Sequence, residues 1–143
     1  MENTEPDKEY SFELKRMSIL EKSLTLLNQG GKQDEFAFDV ALKIGNNPET
    51  KECLHIMRVR INSKSTGKTV GSIQLLCAFF IPNFEDYASD GDNKPSLPKD
   101  LLYLLNSVVI GTMRGIMFGE FRGTVLNNAY LPVLDPRQFE QTD

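Results

Sequence analysis

Residues 36–44, FAFDVALKI, decide the fold class: Phe36, Phe38, Val40, Leu42 and Ile44 fall at every second position, with Ala37, Asp39, Ala41 and Lys43 between them. A period of two places alternate side chains on opposite faces of an extended chain, so this stretch is a strand with one apolar and one mixed face. The same period recurs on both sides of it. Before it, from about Tyr10 to Leu27, Phe12, Leu14, Leu24 and Leu26 are the apolar positions and Glu13, Lys15 and Glu21 fall off phase. After it, Glu52 to Lys64 sets Cys53, His55, Met57, Val59 and Ile61 against Leu54, Ile56, Arg58, Arg60 and Asn62. In the fourth segment, Val70 to Ile81, alternation gives way to the run Leu75, Leu76, Cys77, Ala78, Phe79, Phe80, Ile81, which demands cover on both faces. Asn28-Gln29-Gly30-Gly31, Gly45-Asn46-Asn47-Pro48 and Ser63-Lys64-Ser65-Thr66-Gly67 are turn sequences. Such short connections favour antiparallel neighbours and predict a four-stranded antiparallel sheet.

Pro82 ends the strands, and residues 83–98 form an acidic linker with Glu85, Asp86, Asp90, Asp92, Pro95 and Pro98. From Pro98 to about Gly119 the period becomes helical, with Leu101, Leu102, Leu104, Leu105, Val108, Val109, Ile110, Met113, Ile116 and Met117 covering more than one face. Pro98 suits a helix start, and Asp100 suits the positive end of the dipole. The uncharged run Leu101–Met113 has 13 residues, short of the roughly 20 that span a bilayer, so the helix is expected to be buried in protein and not inserted in a membrane. Residues 136–143 leave room for a short C-terminal helix or tail. The expected class is therefore α+β, one domain over 143 residues with a flexible acidic N-terminus at 1–9.

Composition narrows the function. At 40 % hydrophobic and 25 % charged the chain is neither disordered nor a disulfide scaffold. A formal charge of −4 is the wrong sign for nucleic acid. The acidic start has no secretory pattern, so a cytoplasmic location with reduced Cys53 and Cys77 is expected. Those two cysteines with His55 make a poor metal set, since zinc wants four ligands in recognisable pairs and the chain has one histidine and no CxxC. Gly67-Lys68-Thr69 resembles the end of a phosphate-binding loop, but Asn62 stands where that loop needs glycine. With no nucleophile motif and no positioned acid or base, no catalytic residue and no cofactor is expected.

The remaining signal is apolar surface in excess of what one sheet and one helix can hide, with Ser107, Gly111, Gly115 and Gly119 repeating every fourth residue along the helix. Each interior glycine costs about 1 kcal/mol relative to alanine, so the stripe implies close approach of another backbone, either the chain's own sheet or, given the apolar opposite faces, a second subunit.

Arg122-Gly123-Thr124, the stretch Val125 to Leu131, Pro132-Val133 and the late Phe139, all beyond the long helix, resemble the corresponding stretch of the SecB family of protein-export chaperones. The four strands, Lys15-Arg16-Met17 and the acidic interlude agree in pattern. The resemblance implies a bacterial, ATP-independent holdase without cofactor, a homotetramer built as a dimer of dimers, binding unfolded preproteins in hydrophobic grooves. On this reading Phe36, Phe38, Leu42, Val59, Phe79 and Phe80 serve client-binding or subunit surfaces, and Ser107, Gly111, Gly115 and Gly119 the oligomer interface. For a SecA-like motor, Glu21 and Val70 match the family's docking positions, whereas Thr25 and Ser72 replace its acidic residues. Family relatives also chaperone antitoxins, so a dedicated client is one alternative. An oligomeric, hotdog-like protein with a small-ligand pocket is another, and a purely structural oligomer a third.

Overall fold

The computed structural model describes residues 9–25, 35–87 and 96–139. Four antiparallel strands form one sheet: β1 (Glu13–Leu24), β2 (Phe36–Asn47), β3 (Glu52–Ser63) and β4 (Thr69–Phe80). β2, β3 and β4 are joined as successive hairpins, the first turning through Lys51 at φ 58°. The strand order is β1-β4-β3-β2, so β1 pairs with β4 and not with its sequence neighbour. This corrects the expectation of consecutive neighbours. β4 is apolar on both faces and takes a strand on each side, while β1, with eleven of its twelve residues exposed, occupies the edge. The Asn28–Gly31 turn lies outside the described residues, and the strands it separates stand at opposite edges of the sheet.

One face of the sheet carries the core. Cross-strand partners share a face, and the register aligns Ile44, His55 and Cys77, then Leu42, Met57 and Leu75, then Val40, Val59 and Ile73. These rows are buried except for half-buried Val40 at the β2 edge. They are covered by the helix α1 (Lys99–Glu120), which buries Leu101, Leu102, Leu105, Asn106, Val109, Ile110, Met113 and Met117. By length and composition α1 could cross a membrane; in this fold its apolar stripe is buried against the sheet.

The turn beyond α1 accounts for the Arg-Gly-Thr sequence. Gly123 takes a left-handed φ of 77°, where a side chain is strained. The Thr124 hydroxyl donates to the Phe121 carbonyl at 2.6 Å and accepts from the Leu126 amide at 3.1 Å, fixing the reversal. Leu126 then drops onto β4 at Gly71, where a Cβ would collide with its side chain. Residues 129–139 return along α1 in extended form, ending in a 3-10 turn at Pro136–Gln138.

Candidate functional site

The returning segment is held to α1 at two levels. The Arg114 guanidinium donates to the carbonyls of Leu131 (3.5 Å) and Pro132 (3.1 Å). About two helical turns earlier, the Asn106 amide donates to the carbonyls of Pro136 (3.0 Å) and Phe139 (3.1 Å). With both amide hydrogens engaged, the Asn106 Oδ1 is an acceptor, so His55 Nε2 donates to it at 3.0 Å. His55 Nδ1 then carries the lone pair and faces the Cys53 thiol at 3.8 Å. Burial outweighs the Asn106 bond and brings the imidazole down to about 4, so it is neutral at pH 7. Burial also pushes the Cys53 thiol up to about 12 and the Cys77 thiol up to about 11. Among the described residues no group of three or more such side chains could hold a metal ion, and thiols kept protonated by burial are inert as nucleophiles. The polar network in the core is a clamp for the returning segment.

Between that segment and the outer side of α1 lies an apolar cavity of about 550 Å³, lined by Gly111, Arg114, Gly115, Met117, Phe118, Ala129, Tyr130 and Leu131. Gly111 and Gly115 form its floor: a Cβ built on either meets nothing within 4 Å, so the stripe is an open groove and not a contact with the chain's own sheet. Phe118 and Tyr130 form its walls and are 62 % and 59 % exposed, an unfavourable display of aromatic surface in an isolated chain. Beyond Tyr130 a second depression of about 440 Å³ opens toward the β2 edge, lined by Phe36, Phe38, Glu35, Lys64, Asn128, Ala129 and Tyr130. Ala129 and Tyr130 line both, so the two depressions adjoin between α1 and β2, the last strand in the sheet order.

The candidate residues of the sequence fall in several places. Phe36 and Phe38 line the second depression, half-buried. Leu42, Val59 and Phe79 lie in the interior under α1, and Phe80 is half-buried on the opposite face of the sheet. Ser107, Gly111, Gly115 and Gly119 are all exposed along one line of α1. Glu21 is exposed on β1 and Val70 is buried, so these two do not share a surface. Arg114, Phe118 and Tyr130 are absent from the sequence-based candidates. Phe118 lies one helical step beyond Gly115 and is traceable from the stripe, but Tyr130 sits in aperiodic sequence and carries no such signal.

No family model matches the sequence, and no curated protein matches it. Among solved structures the chain is similar to a SecB-like chaperone of Mycobacterium tuberculosis, determined in complex with a peptide from an antitoxin. The TM-score is 0.54 at 8 % sequence identity, over 85 % of this chain and 83 % of that one. The four-stranded antiparallel sheet, long helix and short 3-10 turn thus form an α+β fold shared with that chaperone.

Proposed function

We propose that the protein is an ATP-independent holdase of the bacterial cytoplasm that binds unfolded polypeptide in the groove between α1 and residues 129–139. The observation that carries this reading is the apolar groove of about 550 Å³ walled by exposed Phe118 and Tyr130, with a second depression adjoining it at Ala129 and Tyr130. A chaperone needs adaptable apolar contact, and the groove supplies it through its aromatic walls at Phe118 and Tyr130. A homotetramer, as a dimer of dimers, would cover the remaining apolar surface, which includes Met17, Ile19 and Leu20 on the β1 edge as well as Leu104 on α1.

General export and a dedicated client are two forms of this function. The antitoxin peptide bound by the SecB-like neighbour favours the dedicated form. A small-ligand protein is the second reading, favoured by one observation: about 550 Å³ falls within the roughly 300–1,000 Å³ of ligand pockets. The polar handle such a pocket would need is Arg114, whose guanidinium is engaged on the Leu131 and Pro132 carbonyls.

The test is light scattering from a chemically unfolded client diluted into buffer without nucleotide. Wild-type protein should suppress aggregation at near-stoichiometric ratios, and Phe118→Ser with Tyr130→Ser should lose most of that suppression while remaining folded. Unchanged scattering across several clients, with stoichiometric uptake of one small apolar compound, would replace the holdase by the pocket protein.

A further inference from the structure

Among the described residues three polar side chains are buried: His55, Ser63 and Asn106. Ser63 belongs to the turn between β3 and β4, where its hydroxyl accepts from the Thr66 amide at 3.3 Å. His55 and Asn106 lie instead between sheet and helix, both fully buried, and Asn106 stands on α1 one turn from each of the buried apolar residues Leu102 and Ile110. A buried polar group costs free energy unless it is bonded, and an aliphatic side chain would fill the same place without that cost. The reason for the pair is therefore in the bonds it makes.

The Asn106 amide is fixed from both sides. Its hydrogens go to the carbonyls of Pro136 and Phe139, so turning it over would set its oxygen against them, and His55 Nε2 holds that oxygen at 3.0 Å. The two carbonyls meet at one point because Pro136–Gln138 is a 3-10 turn, closed by the Asp135 carboxylate accepting from the Arg137 amide at 2.9 Å. From that turn residues 132–135 run back to Leu131 and Tyr130 in the groove. Pro132 and Pro136 stiffen this short connection, since each has a fixed φ. Arg114, the other hold on the segment, is exposed, so water competes for its carbonyls, whereas Asn106 is shielded from water.

We propose that Asn106, oriented by His55, is the positioning residue of the α1 groove: by pinning the carbonyls of Pro136 and Phe139 it fixes where Tyr130 and Leu131 stand, and so how wide the groove opens to a client. The inference rests on the reading of that groove as the client site. Asn106 touches no client and acts through the returning segment. Releasing its amide lets the wall swing away from α1 and leaves Phe118 without the aromatic side chain that faces it across the groove.

The chain has no tryptophan, so a Tyr130→Trp reporter emits from the groove wall alone. Asn106→Asp keeps the shape of the side chain and the acceptor for His55 but sets a carboxylate oxygen against the two carbonyls. In the reporter protein it should shift the emission to the red and raise its quenching by acrylamide. Without the reporter it should weaken binding of a labelled, reduced and carboxymethylated protein, a permanently unfolded client, by about tenfold, as the loss of a buried hydrogen bond does. His55→Gln, whose amide still donates to Asn106, should hold that affinity within about twofold, and His55→Leu, which cannot donate, should lose as much as Asn106→Asp. Unchanged affinity in a folded Asn106→Asp protein would overturn the proposal and leave the holdase reading standing, and equal losses in the two His55 variants would overturn the part given to His55. Emission that responds to Asn106→Asp in a protein that binds no client would support the positioning of the wall and overturn the holdase reading. On the wild-type protein, where no variant has to fold, client binding should slow the exchange of the two Asn106 amide protons, because coupling between sites is reciprocal. Exchange indifferent to the client would overturn the proposal.

Discussion

The inner and outer sides of α1 are both apolar in sequence and opposite in use. Inside, Leu101, Leu105, Val109 and Met113 are fully buried on the sheet; outside, Leu104 and Phe118 stand exposed along the line of Ser107, Gly111 and Gly115. The inner side holds large side chains that fill volume, and the outer side alternates small and large ones that leave volume empty. A helix under selection for the stability of this chain alone has no reason to carry exposed glycine beside exposed phenylalanine. The difference separates a surface that folds the protein from one that waits for a partner.

The largest expected effect is on the inner side. Leu105→Ala should cost about 2–5 kcal/mol, because a fully buried leucine leaves a cavity that the rigid sheet beneath cannot fill. Urea unfolding at pH 7 measures it, and a loss below about 1 kcal/mol would mean the inner side is not the core. The clamp comes next. His55 titrates at about 4 in the fold and near 6.5 when unfolded, so the unfolded chain takes up the proton first. Its contribution is complete above pH 6.5, falls as pH drops through the window toward 4, and amounts to about 2 kcal/mol lost by pH 5. His55→Gln should flatten that part of the stability profile; an unchanged slope between pH 6.5 and 5 would show that the imidazole is solvated.

On the outer side the sign reverses. Gly111→Ala and Gly115→Ala meet no neighbour within 4 Å, so each should raise the thermal stability of the chain by about 0.5–1 kcal/mol through restricted unfolded-state freedom. The same substitutions should weaken the suppression of client aggregation read by light scattering, a pairing of gain and loss that no buried position gives. The smallest effect belongs to the bridge between sheet and helix. Lys22 and Glu120 lie 2.7 Å apart at the surface, and Lys22→Ala should cost no more than about 1 kcal/mol, fading in high salt.

This contrast is half legible in the sequence. The strands and α1 follow from period two and period 3.6, and the observed bounds lie within a few residues of those expected. The glycine spacing exposes the outer stripe for the same reason, since spacing alone fixes which residues share a helix face. The order β1-β4-β3-β2 does not follow, because alternation tells which residues share a face and not which strand lies alongside. Leu42, Val59 and Phe79 illustrate the same limit: their apolar face is visible in the pattern, but not that α1 covers it. Tyr130 is hidden because the returning segment has no period, and it takes its path from carbonyls that Asn106 and Arg114 capture. Lys43 and Arg58 are visible in their strands, yet only the register makes them neighbours.

The most direct measurement is amide hydrogen exchange of the protein with and without a bound unfolded client. Protection should appear at Gly111–Phe118, at Tyr130 and Leu131, and along the outer amides of β2 near Phe36 and Phe38, while β3 and β4 stay unchanged. Protection confined to the opposite face of the sheet, with the α1 groove exchanging as in the free protein, would contradict the assignment of that groove as the client site.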